Sequence, residues 1–228
     1  MRLAWFLAYL AAACAASPAL AADIAPPLPP PAAASADLLS PYYVHVGAGG
    51  IFLSESAKIS VLGQPQAGAN IRARAQFTPI AEFGYNFTPN WAVSFTGGYP
   101  PLVKFSGAGT LRPFGTLGKV TYGPTTFTGH YHFTGLGAFR PYIGGGLVAM
   151  LVFANKDGVV SNVNLQPNLG LAAQIGAEYM VSDHLGLFVD VKKAYLRSTA
   201  KGYFGLAPLK AKATLDPLVL SSGIAYRF

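Results

Sequence analysis

Between Ile71 and Phe87 the chain reads IRARAQFTPIAEFGYNF. Its odd positions, Ile71, Ala73, Ala75, Phe77, Pro79, Ala81, Phe83, Tyr85 and Phe87, are all apolar, whereas its even positions include Arg72, Arg74, Gln76, Thr78, Glu82 and Asn86. Successive side chains of an extended strand point to opposite faces, so a period of two gives one oily face and one polar face. After the short turn Thr88-Pro89-Asn90 the pattern returns in Trp91, Val93, Phe95 and Tyr99. It returns again where Phe127, Tyr131 and Phe133 oppose Thr126, Thr128, His130 and His132. Leu169 to Tyr179 opposes Gln174, Gly176 and Glu178, and Leu185 to Val191 opposes Gly186, Phe188, Asp190 and Lys192. The final stretch sets Leu218, Leu220, Ile224, Tyr226 and Phe228 on one side. With Tyr42–Ser54 first and Pro141–Phe153 fifth, eight strands are predicted from residue 41 onward.

A soluble β-sandwich also alternates, and three features favour a membrane barrel instead. Aromatic residues gather near strand ends, as at Tyr85, Phe87, Trp91, Tyr131 and Phe133, which suits an interfacial girdle. Short turns (88–90, 182–184) alternate with long connections (roughly 55–69, 154–168 and 200–213), as in barrels with one short-turn end. Several polar faces carry charges that a sandwich core would hold only in pairs. The apolar face is therefore expected to meet lipid. Composition agrees: 52% of residues are hydrophobic and 11% charged, against a usual charged share of about 25%. The longest charge-free apolar run beyond the N-terminus, Pro141 to Ala154, contains three glycines and falls short of the ~20 residues of a membrane helix.

Residues 1–21 read as a secretory signal, with Arg2 as its positive start, Leu3 to Ala16 as its apolar core and Ala19-Leu20-Ala21 as its cleavage site. Cys14, the sole cysteine, lies inside it. Its alternative role as a lipidated cysteine is disfavoured by Ala11-Ala12-Ala13, which lacks a large aliphatic residue. Residues 22–40, with prolines at 26, 27, 29, 30 and 31, read as a stiff periplasmic arm. Residues 41–228 make the barrel.

The stretches FGYNFTPNWAVSF (83–95), FRPYIGGG (139–146), AAQIGAEYMVSDHLGLFVDV (172–191) and LDPLVLSSGIAYRF (215–228) together resemble the OmpW family of outer-membrane proteins. The resemblance covers nearly the whole chain from residue 41, with the proline-rich arm as a departure. It implies an all-β fold, an eight-stranded antiparallel transmembrane β-barrel in a Gram-negative outer membrane. It also implies a narrow interior, lined by apolar groups, that carries small hydrophobic molecules, with no cofactor.

Strand parity then sends Arg72, Arg74, Glu82, His130, His132, Gln174, Glu178, Asp190, Lys192 and Arg227 to the lumen. There they form either a structural ion-pair plug or a polar constriction that turns an apolar solute sideways through the wall. Eight strands leave an interior nearly filled by side chains, so low ion conductance is expected. Ile143, Leu147, Leu151 and Phe153, on a strand apolar on both faces, are the candidate apolar lining, chiefly on the strength of the resemblance. Gly144, Gly145 and Gly146 there would admit a bulge, the close approach of a ligand, or simply curvature.

Basic residues outside the lumen gather at the long connections: Lys104, Arg112, Lys119, Lys156, Lys193, Arg197, Lys201, Lys210 and Lys212. They suit the phosphates of lipopolysaccharide, or are a solvated rim. Scattered charges without a recognition motif do not suit nucleic acid. His130 and His132, with Glu82 and Glu178, lack both a nucleophile context and a third metal ligand of diagnostic spacing, so neither an enzyme nor a metal site is expected. Tyr226 and the terminal Phe228 look like the signal read by barrel assembly machinery. The alternative to a transporter is a plugged barrel with a structural or adhesive role.

Overall fold

The computed structural model describes residues 41–53 and 56–228. The expected signal (1–21) and proline-rich arm (22–40) lie outside the described residues. The chain runs through β1 (Tyr42–Phe52), β2 (Ser56–Val61), β3 (Gln64–Pro65), β4 (Ala69–Ala73) and β5 (Gln76–Asn86). Then come β6 (Trp91–Gly98), β7 (Leu102–Gly109), β8 (Thr116–His132), β9 (Phe139–Asp157) and β10 (Val160–Leu165). The last are β11 (Asn168–Met180), β12 (Leu185–Tyr195), β13 (Arg197–Phe204), β14 (Ala207–Thr214) and β15 (Leu218–Arg227).

Eight of these close an antiparallel barrel. Going round the wall, β1 pairs with β5, then come β6, β8, β9, β11, β12 and β15, and β15 pairs back onto β1 with Phe52 opposite Leu218 and Tyr43 opposite Arg227. Closure pairs each wall strand with a neighbour on both sides, save for one short stretch between β6 and β8, as suits hydrocarbon, where an unpaired backbone amide is costly. The outward face is a belt of exposed Phe83, Phe95, Phe127, Leu171, Ile175, Leu187, Val189 and Ile224. Its lower margin is a girdle in which Tyr85 meets Phe87, Trp91 meets Tyr131, and Tyr226 meets Phe228 edge to face with ring centroids 5.0–5.2 Å apart. The short connections and Phe228 lie at this end, which is therefore periplasmic.

At the other end the strands outrun the membrane. A spanning strand needs about 9–11 residues, yet β8 has 17 and β9 has 19. The connections expected to be loops are largely strands: β10, β13, β14, β2 and β3 form a second, five-stranded sheet in that order. Its residues alternate too, with Ala211 and Ala213 buried and Lys210 and Lys212 exposed. Small apolar residues between lysines hid that period.

Ile71 to Phe87 is also not one strand. It breaks at Arg74 and Ala75, and the break inverts the facing: in β4 the odd residues Ala69, Ile71 and Ala73 pack inward, whereas in β5 the even residues Thr78 and Glu82 do so. Inside the barrel, rings are accommodated by glycines of the neighbouring strand. Tyr43 lies opposite Gly84, where a Cβ would fall 2.0 Å from its ring, and Tyr142 lies opposite Gly176, where a Cβ would fall 2.5 Å from its ring.

Candidate functional site

The periplasmic half of the lumen is filled by a charged network drawn from all eight wall strands. Lys192 Nζ donates to Glu82 Oε2 at 2.7 Å and to Asp190 Oδ1 at 2.8 Å. Glu82 also accepts from Thr96 Oγ1 at 2.6 Å, and Asp190 Oδ2 accepts from Tyr142 OH at 2.8 Å and Gln174 Nε2 at 2.7 Å. Nearer the periplasm, Arg227 donates to Glu178 through Nη2 at 2.6 Å and Nε at 3.1 Å. His45 bridges the two groups, with Nδ1 3.4 Å from Glu82 Oε1 and Nε2 3.1 Å from Glu178 Oε1, while its ring stacks on Phe188 at 4.5 Å. His130 Nε2 lies 2.9 Å from Gln174 Oε1. Each carboxylate thus meets an opposite charge and further donors, the condition under which charges persist out of water.

Above this plug the interior turns apolar. A cavity of about 40 Å³ sits on it, walled by Ile51, Ile80, Val148, Ala172 and Val219 and floored by Thr96, Thr126, Lys192 and Ser221. A second cavity, of about 90 Å³, lies toward the outside among Ile59, Phe105, Leu117, Val160, Leu209 and Leu215. Between them Tyr122, Met150 and Leu196 belong to one buried cluster that touches both. The inner cavity reaches a break in the wall. β6 pairs with β8 only as far as Thr96 opposite Thr126, and β7 resumes with Leu102 opposite Thr121. Over that gap residues 97–101 face Gly123, Pro124 and Thr125 without cross-strand pairs, and Pro100, Pro101 and Pro124 have no N–H to give. Gly97, Gly98, Pro101, Gly123 and Pro124 line the cavity there.

Of the polar residues expected in the lumen, Glu82, His130, His132, Glu178, Asp190 and Lys192 are buried inside, as are Gln174 and Arg227. Arg72 and Arg74 are not: both are exposed at the outer end, Arg72 because the even positions of β4 face outward and Arg74 because it lies in the break itself. The expected apolar lining is likewise corrected. Ile143, Leu147, Leu151 and Phe153 are 48%, 55%, 43% and 60% exposed and face lipid. Leu147 is opposite Phe127 and Ile143 opposite Tyr131, and directly opposed residues share a face. The lumen receives Tyr142, Val148 and Met150 instead. A strand apolar on both sides carries no parity of its own, so only its neighbours reveal its facing. Gly144 to Gly146 keep a regular register without a bulge, and Gly144 lies against the His130 ring.

His45 and Tyr43 were missed, although Tyr43 and His45 alternate with Val44 and Val46 and signal an inward polar pair. Tyr226 and Phe228 point outward in the periplasmic girdle. Among the described residues no three His, Cys, Asp or Glu side chains are placed to hold a metal ion.

The sequence pattern of the OmpW family matches residues 41–228. The chain is 34% identical to the dibenzothiophene metabolism operon protein PahQ of Pseudomonas aeruginosa over 189 residues, covering 83% of this chain and 89% of that one. It is 28% identical over 174 residues to the outer membrane protein AlkL of Ectopseudomonas oleovorans, covering 76% of each. The crystal structure of the outer membrane protein OprG from Pseudomonas aeruginosa shares its fold with a TM-score of 0.77 at 23% identity, over 83% of this chain and 97% of that one.

Proposed function

Because the chain belongs to the OmpW family of outer-membrane proteins, we propose that it conducts small hydrophobic molecules inward from the cell surface and releases them sideways into the outer membrane. One observation carries the reading: an apolar interior ends on a charged plug at the level where the wall loses its pairing. An oily solute gains by leaving water for the outer cavity. It gains nothing by crossing Lys192, Glu82 and Asp190, whose mutual bonds it would have to break without replacing them. Beside it, residues 97–101 and 123–125 part without the loss of ladder hydrogen bonds. The cheapest way onward is through the wall, and Met150, a flexible side chain, belongs to the buried cluster that separates the cavities. A relative named for a dibenzothiophene metabolism operon supports an apolar cargo.

The test uses the wall itself. A Cβ on Gly97 would have Thr125 Cγ2, at 3.8 Å, as its nearest neighbour, so cysteines at the two positions would face each other across the break. In Gly97→Cys with Thr125→Cys, oxidation is expected to stop protein-dependent uptake of labelled octane by whole cells, and a reductant to restore it. Undiminished uptake by the oxidised protein would leave the plugged structural or adhesive barrel as the better account.

Two partners belong to the same proposal. Tyr226 and Phe228 at the end of the closing strand suit recognition by barrel assembly machinery. Lipopolysaccharide suits the outer end, where Lys104 lies opposite Lys119 and Lys119 opposite Lys156 across β7, β8 and β9. Like charges set directly opposite one another repel, and among the described residues none of the three has a carboxylate within ion-pair distance. Asp157, next to Lys156 in sequence, accepts instead from the backbone N–H groups of Asn162 and Val163, both at 2.9 Å, which hold its carboxyl below the ordinary range. The row therefore lacks anions that a phosphorylated lipid would supply.

A further inference from the structure

The floor of the inner cavity is unlike its walls. Thr126 and Ser221 are each 7% exposed, and their hydroxyl oxygens have no hydrogen-bond partner among the described residues. The other two threonine hydroxyls of this cavity are engaged: Thr96 donates to Glu82 and Thr78 to the Tyr99 carbonyl. Lys192, which lines the same cavity, uses two of its three N–H donors on Glu82 and Asp190. A buried hydroxyl without a partner is costly, and such groups in a native fold call for a reason. Here the two hydroxyls and the spare donor share one small cavity whose walls are Ile51, Val148, Ala172 and Val219.

Resting on the reading of apolar passage, we infer that this cavity is a binding site for the head group of an uncharged amphiphile, an aliphatic or aromatic alcohol, whose hydroxyl bonds to Thr126 or, on the opposite wall, to Ser221, with Lys192 lining the same space, while its chain lies against the apolar wall. A hydroxyl both donates and accepts, which matches a floor offering two hydroxyls and one ammonium N–H. A carboxylate does not match. The Lys192 charge is already opposed by two carboxylates, and a third anion would face Glu82 and Asp190 within the same low-dielectric space. A pure hydrocarbon fills the walls and leaves the floor as it stands. The site would thus hold alcohols at the point of lateral release in preference to alkanes of equal length.

The experiment compares labelled 1-octanol, octane and octanoate in cells producing the full chain or its Thr126→Val with Ser221→Ala variant, each corrected for cells without the protein. Both replacements keep shape and remove only groups without partners, so the barrel is expected to fold as before, checked by heat-dependent electrophoretic mobility. The octanol-to-octane uptake ratio is expected to fall about fivefold in the variant, the equivalent of one lost hydrogen bond. Octanol is also expected to raise the thermal midpoint of the purified wild-type protein more than that of the variant. Equal ratios in the two proteins, with both solutes still protein-dependent, would overturn the alcohol site and leave apolar passage standing. Octanoate taken up in preference to octanol would overturn it as well. If no solute depended on the protein, both readings would fall.

Discussion

Lys192 sits between two carboxylates, and each of its neighbours relies on it. Glu82 is bound by Lys192 and Thr96, and Asp190 by Lys192, Tyr142 and Gln174. Replacing it by methionine keeps the volume and leaves two buried acids facing each other. Lys192→Met is expected to cost about 3–5 kcal/mol, the usual penalty for stripping one partner from a buried pair, read from urea unfolding in lipid vesicles. A loss below about 1 kcal/mol would mean that the plug is wetter than its geometry indicates. At this scale the sequence was legible wherever a polar residue stood on a strand with a clear oily face, as with Glu178, Asp190 and His130. It was illegible at Arg72 and Arg74, since a two-residue interruption of the pairing leaves no mark in the pattern of residue types but reverses every facing beyond it. It was illegible at Ile143 and Leu147 for the opposite reason, because Tyr142, Val148 and Met150 on the other face are as apolar as they are.

At the scale of elements, the row formed by β7, β8 and β9 has a measurable partner. Each lysine near an anionic lipid surface contributes about 1 kcal/mol. Replacing Lys104, Lys119 and Lys156 together by serine is therefore expected to weaken binding of lipopolysaccharide to the purified protein roughly a hundredfold at low salt. The difference should narrow as salt rises through the range where the screening length falls below ~10 Å. Unchanged binding, or a difference indifferent to salt, would assign the row to solvent. Parity alone could not reveal this row, because it depends on the register between three strands. The outer sheet was hidden in a different way: Leu209, Ala211 and Ala213 alternate with Lys210 and Lys212, but alanine is too small to make the period stand out from an ordinary basic loop.

For the whole molecule, the ladder round the barrel and the plug across it make opposite demands on a solute. A hydrated ion finds an apolar outer interior and then side chains already bonded to one another. Reconstituted in planar bilayers, the protein is expected to show no large, stable, nonselective conductance, and steady porin-like steps would contradict a plugged lumen. This level was the most legible of all. Closed barrels need an outward oily face on every strand, and six of the eight carry one in plain alternation. The break beside Gly97 and Pro124 left no such trace, since prolines and glycines in a run of aromatic residues read equally well as a turn.

The partners in the plug also lie far apart along the chain, Glu82 and Lys192 by 110 residues and His45 and Glu178 by 133. Arg227, bound to Glu178, is the next-to-last residue. A half-assembled wall therefore holds charges whose counterparts have not arrived. The first strand brings His45 early, and its neutralising company is complete only when the last strand docks. Closure thus acts as a checkpoint in time, since only the finished circle has its charges matched.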